Sequence, residues 1–572
     1  MMRVLARYIL LLAAVALPIN GTASSFLFRN GTSDYSIVVA HSASVSEKTA
    51  AGELQRYIRQ ISGVSLPLTS NLSKEGKHII VGYNDIIRQR TGEPKPAADD
   101  EAFTYRTSGA DILIYGGAER GTMYGVFSFL EEQLGVKWLT KDCTVVPRRK
   151  SFIVPDTSVT ERPAVRYRFD EFKNFCSDTA LYAHNKMNML WEAMPDKYGR
   201  IYPYYCVHTS FLFLPPETYF KNHPEYYSLH NGKRISNGQL CLSNPAVLAI
   251  VKEFLYRNIN EIIGYWCYDV SQNDNELYCE CKQCKALEKK YGGHSGIWIW
   301  FVNQVARSFP NHNFGTLAYK YTQAPPAGIR PERNVVIRLC SIENCFAHPL
   351  EECNRNAKFL KDLKGWKQLT DKLYIWDYVV DFNQYLLPWP NFRVLSNNIK
   401  SYIENGAIAI HELGQYQSGD GEFSEMKAWV IAKLLWNPDQ NTDSLCHEFI
   451  NAYYGKAARY VWQYYLLTQD LVTYNTHFDI MTRASDPLYN QEYINKSKDL
   501  MEKAVSADDD TVIRSRVDRV RLQTLYLSTM RDRAKAIVNG DYIKTMMLLQ
   551  KYKPRINESI TTDDFIAKDG YI

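Results

Sequence analysis

Between Val165 and Glu412 the chain repeats one pattern: a short apolar run, a polar break, then a segment with helical spacing. The runs are Val165–Asp170, Met187–Trp191, Tyr204–His208, Trp266–Ser271, Phe314–Tyr319, Val335–Cys340, Leu373–Tyr378 and Ala407–Glu412. Helix-like stretches at Pro245–Arg257, Cys284–Ser308, Cys353–Leu369 and Glu422–Leu435 separate most of them. Apolar runs this short, most of them followed by a helix-like stretch, read as buried parallel strands joined by crossover helices. Eight such runs predict an α/β fold, a (β/α)8 TIM-like barrel over residues 164–436. The second and fifth crossovers are short for full helices, so an open parallel sheet is the competing architecture.

The flanks differ from this core. Over residues 25–155 strand and helix signals alternate on a smaller scale. Ser44 and Glu47 form a capping box that opens a helix with Leu54, Tyr57, Ile58 and Ile61 on its apolar face, and Gly63 ends it. A second amphipathic helix runs from Arg120 to Leu134. A small α/β domain is expected here, with Pro147–Pro163 as the linker. Residues 437–572 are rich in helix formers and predict a helical C-terminal domain. At the other end, Arg3 and Arg7 precede the apolar run Ile9–Leu17 and the small residues Gly21, Thr22 and Ala23. That order predicts a signal peptide over residues 1–23 and an exported, bacterial, periplasmic or extracellular protein. No later stretch is long and apolar enough to predict a membrane span.

A formal charge of +5 spread over 572 residues leaves no basic stripe for nucleic acid. Also missing are a glycine-rich phosphate cradle, a G-x-S-x-G elbow and an H-E-x-x-H helix. What the strand ends carry instead are acids, amides and aromatics, which suit a neutral polyhydroxylated ligand. Asp170 and Glu171 follow the first run, Trp191 and Glu192 the second, and His208 the third. Asn273, Asp274, Asn275 and Glu276 follow the fourth, Tyr319 the fifth and Glu343 the sixth. Trp376, Asp377 and Tyr378 end the seventh, and His411 with Glu412 ends the eighth. In a barrel these ends share one face, where catalytic groups sit. The structural alternative is that strand-end acids cap the following helices and the aromatics are core. Cys279, Cys281 and Cys284 have C-x-C-x-x-C spacing but no evident fourth ligand nearby, so structural or disulfide use is expected and no metal or other cofactor.

Several segments carry a resemblance. Arg120-Gly121-Thr122-Met123-Tyr124-Gly125-Val126-Phe127, running on to Trp138, resembles the small domain that precedes the barrel in β-hexosaminidases and α-glucuronidases. Val207–Phe211, His223–Tyr227, Ser271–Asn275 with the following cysteines, Trp376–Tyr378 and Glu422–Pro438 resemble a bacterial family of unknown function. Some of its members are grouped as glycoside hydrolase family 163, endo-β-N-acetylglucosaminidases acting on N-glycans. The resemblance implies a retaining hydrolase of that type, with an oligosaccharide or glycoprotein glycan as partner.

Two mechanisms are open, and the resemblance to acetamido-sugar enzymes implies the first, substrate-assisted acid catalysis. With substrate assistance the 2-acetamido carbonyl attacks C1, Asp274 is the general acid, and Asn273 with Tyr378 orients the acetamide. With two protein carboxylates, Asp274 works with Glu412, and their separation decides retention or inversion. In either case Asp274, Glu412 and Asn273 are the expected catalytic residues. His208, Asn275, Tyr319, Trp376, Asp377 and Tyr378 are the expected substrate contacts. The alternatives are an α-glucuronidase-like exo-glycosidase, with Arg166 or Arg168 reading a uronate, and a glycan-binding protein without catalysis.

Overall fold

A computed structural model describes residues 25–72, 76–200, 204–259 and 266–553. The expected leader lies outside the described residues. The N-terminal domain is a six-stranded sheet in the order 158–161, 103–108, 111–116, 77–81, 35–39, 68–69. Alternate residues of its central strands serve two cores. Ile37, Ile79, Ile112 and Ile114 face the helices Val45–Ser62 and Gly121–Glu132, while Val38, Ile80 and Leu113 face the helix Asp85–Thr91. The capping box forms as expected, Ser44 Oγ accepting from the Glu47 N–H and Glu47 accepting from the Ser44 N–H, and Gly63 ends the helix at φ 80°. Pro147–Pro163 is not a linker. Ser151–Ile153 pairs with Phe26–Arg29, and Ser158–Glu161 pairs with Phe103–Ser108, because a polar alternating stretch makes a good exposed edge strand.

The second sheet has seven parallel strands: β1 (Tyr167–Glu171), β2 (Tyr204–Tyr205), β3 (Cys267–Asp269), β4 (Phe314–Ala318), β5 (Val335–Cys340), β6 (Leu373–Tyr378) and β7 (Ala407–Leu413). Their order is β1-β7-β6-β5-β4-β3-β2. The sheet is curled. Tyr167 at the start of β1 packs on Trp266 beside β3 at 4.3 Å, and Trp266 packs on Tyr374 of β6 at 5.9 Å. Helices Pro245–Asn258, His294–Ser308, Ala357–Lys367, Phe392–Glu404 and Ser424–Trp436 intervene or follow in sequence.

Among the described residues the sheet has seven strands rather than the eight of the expected closed barrel, since Met187–Trp191 is irregular. The Asn188 and Met189 N–H groups donate to the Arg168 carbonyl, but the Asn188 side chain takes the other positions of the ladder. Its Oδ1 accepts from the Arg168 N–H at 2.8 Å, and its Nδ2 donates to Glu101 and to the Arg166 carbonyl. Six helices between Thr442 and Tyr552 make up the C-terminal region, together with one short 3-10 turn. The loop ahead of Gln491 returns to the sheet, where the Ile480 carbonyl accepts from the Phe382 N–H. Among the described residues no helix is long and apolar enough to cross a membrane.

One buried ionic cluster ties the N-terminal domain to β1. Glu101 accepts from Arg120 Nε and from Arg168 Nη2, each at 2.6 Å. Burial alone would raise the Glu101 pKa, but the two guanidinium groups outweigh it and hold the carboxylate below its usual range. Glu101→Gln should therefore leave two buried cations under-compensated and cost about 3–5 kcal/mol, read as a fall in the urea midpoint. An unchanged midpoint would mean that water reaches the cluster.

Candidate active site

Strand parity decides which side chains can meet a ligand. In register, Phe169, His411 and Trp376 lie side by side on β1, β7 and β6. Phe169 stacks on His411 at 4.2 Å, Trp376 lies 4.9 Å from His411, and Arg338 of β5 sits over Trp376 at 4.6 Å. This is the inner face of the curled sheet. Two residues further along the strands, Glu171, Leu413 and Tyr378 lie on that same face. Asp170, Glu412 and Asp377, the row between, point the other way, toward the helices.

The inner face opens at the strand ends into a cavity of about 700 Å³. Of the residues expected from sequence, Asp274, His208, Tyr319, Trp376 and Tyr378 line it together. Trp191, Phe382 and Tyr416 add aromatic wall, and Ile480 comes in from the C-terminal region. His208 sits at φ 56°, a left-handed conformation uncommon for a residue with a side chain. It is held there by its N–H on Ser271 Oγ (2.9 Å) and by Nδ1 on the Gln272 carbonyl (2.8 Å). A carbonyl partner requires a proton on Nδ1.

Two carboxyl groups face this space. Asp274 is at the lip, its side chain 57% exposed, and Oδ1 accepts from Tyr319 Oη and Lys320 Nζ, both at 3.2 Å. Partial burial pushes its pKa up, but the Lys320 hydrogen bond and charge, with His208 and Tyr319, outweigh that and hold Asp274 below the usual aspartate value. Glu171 lies deeper and is nearly buried. Its Oε1 accepts from Trp191 Nε1 at 2.5 Å, and its Oε2 is 2.8 Å from His411 Nε2. Burial drives the His411 pKa down to about 4, so the ring is neutral at pH 7 and Nε2–H is the donor to Glu171.

Glu412, expected to be catalytic, does not line the cavity. It is fully buried on the helix-facing side, and burial, then Asp377 and Asp170, raises its pKa well above the ordinary value. Asp377 is likewise on the outer face. Its Oδ1 accepts from Ser341 Oγ at 2.5 Å, and burial pushes its pKa up to about 6. Asn273, expected to orient an acetamide, donates its amide to the Gly238 carbonyl at 2.8 Å and is nearly buried. Asn275 is likewise used in the loop, where Oδ1 accepts from Gln239 Nε2 and from the Leu277 N–H. Gln239 also accepts from the Asn273 N–H, so one buried glutamine braces the loop that presents Asp274. Glu171 is among the strand-end acids read from the sequence but not among the expected catalytic residues. Its position at the end of β1 was visible in the sequence, but its inward parity was not.

A pair of carboxyl groups in an aromatic-walled cavity can bind a sugar ring and act on its glycosidic bond. Residues 29–129 match the model described as the glycosyl hydrolase family 67 N-terminus. A probable alpha-glucuronidase A of Neosartorya fischeri is 33% identical over 97 residues, which is 16% of this chain and 12% of that protein. The chain thus spans only a small part of that relative's length. A solved family GH115 4-O-methyl-alpha-glucuronidase with specificity for decorated arabinogalactans shares the fold, with a TM-score of 0.60 and 13% identity over 93% of this chain and 78% of that one. Over residues 29–129 the chain is therefore similar to the N-terminal domain of glycoside hydrolases. Residues 138–466, more than half of the 572, match the model described as a domain of unknown function, and the chain belongs to that family, DUF4838.

Proposed function

We propose that the protein is a glycoside hydrolase that cuts a β-linked N-acetylglucosamine residue in a glycan, with Glu171 and Asp274 as the two carboxyl groups acting on the bond. The observation that carries this reading is the pair itself: two acids of different setting that share one cavity. Glu171, fixed by two N–H groups, suits the nucleophile or the anion that stabilises a positively charged sugar transition state. Asp274, at the wetter lip, suits the acid that protonates the leaving oxygen and then activates water. Assistance by the substrate's own acetamide is the weaker alternative, because the Asn273 amide is already engaged with Gly238.

A neutral sugar is favoured over a uronate. The cavity lining contains no arginine or lysine among the described residues. Arg168 is buried against Glu101, and Arg166 pairs with Asp99. The α-glucuronidase relatives keep the uronate reading alive, and Lys320 at the lip is the cation that would serve it. The signal peptide expected over residues 1–23 supports placing the reaction outside the cytoplasm. A mass-spectrometric product screen on complex and high-mannose N-glycoproteins and on aldouronic acids tests the proposal. The expected product is a released glycan ending in a single N-acetylglucosamine. Products from aldouronic acids alone would select the uronate reading. Binding with no product from any of them would make the protein a lectin.

A further inference from the structure

Cys279, Cys281 and Cys284 gain a fourth partner in the fold. Cys241 comes from the chain that ends in the helix Pro245–Asn258, and the four buried Sγ atoms lie within 4.8 Å of one another. Cys241 Sγ is 3.7 Å from that of Cys281 and 3.8 Å from that of Cys284. Four sulfurs bonded to zinc at about 2.3 Å in a tetrahedron stand about 3.8 Å apart, whereas a disulfide draws two to about 2.05 Å. The surroundings suit bound thiolates. The Leu229 N–H points at Cys279 Sγ and the Cys284 N–H at Cys281 Sγ, both at 3.4 Å, and Arg234 Nη1 is 3.7 Å from Cys279 Sγ.

We propose that Cys241, Cys279, Cys281 and Cys284 bind one structural zinc ion, which anchors the loop between β3 and Cys279. That loop carries Asp274, so the ion would hold its C-terminal end in place. Four ligands that are all thiolate leave no open position, which makes the site structural.

A second set on other elements carries the same inference independently. Cys345, His348 and Cys353 follow β5, His477 comes from the C-terminal region, and their ligand atoms lie within 4.8 Å of one another. His477 Nδ1 is 3.3 Å from Cys345 Sγ and 3.7 Å from Cys353 Sγ. His348 Nε2 is 3.0 Å from the Thr473 carbonyl, the outer partner that metal-bound imidazoles characteristically have, which leaves Nδ1 as the ligand. This ion would tie the loop after β5 to the segment that brings Ile480 to the cavity.

Full-length protein, purified without chelator or added metal, should carry two zinc ions per chain by plasma mass spectrometry. Cys241→Ser with Cys284→Ser should remove one, and Cys345→Ser with His477→Ala the other. If a variant does not fold, the wild-type zinc-edge X-ray absorption spectrum decides, with sulfur at about 2.3 Å and about three sulfurs for each nitrogen expected. One ion per chain would overturn whichever set keeps no metal. No metal, iron in place of zinc, or a non-reducing peptide map that links these cysteines to one another would overturn the proposal.

Discussion

Asp274→Asn should lower turnover by about 10²–10⁴-fold while leaving the fold and glycan affinity largely intact. The amide keeps the shape of the carboxylate and an oxygen for Tyr319 and Lys320, but it has no acidic proton to give to a leaving oxygen. Lys320 adds a second arm to this test. Its hydrogen bond and charge help hold the Asp274 pKa below the usual aspartate value, so the carboxyl must first take up a proton from solvent before it can give one to a leaving oxygen. Lys320→Met removes the charge that depresses the Asp274 pKa, so that pKa should rise. Activity that depends on protonated Asp274 should then persist to higher pH, moving the alkaline limb of kcat/KM upward. A limb that stays in place, or a folded Asp274→Asn protein near wild-type rate, would put the acid elsewhere.

Much of the large sheet is legible in the sequence, and so is the reason that part of it is not. Val335–Cys340 and Leu373–Tyr378 are strands over the very residues expected, because short apolar runs closed off by polar residues have little other choice. Met187–Trp191 has a similar composition, yet Asn188 spends its side chain on groups that a strand would pair through its backbone. The site fails in a different way. In a parallel sheet buried on both faces, apolar and polar residues do not alternate cleanly, so Ile410-His411-Glu412-Leu413 gives no sign of which acid looks inward. Only the register with Phe169 and Trp376 settles it. Contacts distant in sequence are also silent: Cys241 lies 40 residues before Cys281, with a helix between them.

That parity sets up the sharpest contrast among the acids. Glu171→Ala should lower the rate on the order of 10³-fold or more, about 4 kcal/mol of barrier, because it removes the carboxylate that Trp191 and His411 orient in the cavity. Glu412→Gln should keep nearly full activity. Its carboxyl is buried away from the cavity, and burial raises its pKa well above the ordinary value, which favours the neutral form that an amide imitates. Azide supplied to Glu171→Ala should occupy the vacated space, restore part of the rate and yield a glycosyl azide, as expected when a protein nucleophile has been deleted. A thiazoline that mimics a cyclised acetamide should then inhibit weakly, since a site tuned to a protein nucleophile does not stabilise that species. Strong thiazoline inhibition with only a small loss in Glu171→Ala would return the nucleophile to the substrate. A severe loss in a folded Glu412→Gln protein would contradict the parity itself, because a group on the helix-facing side cannot reach the sugar.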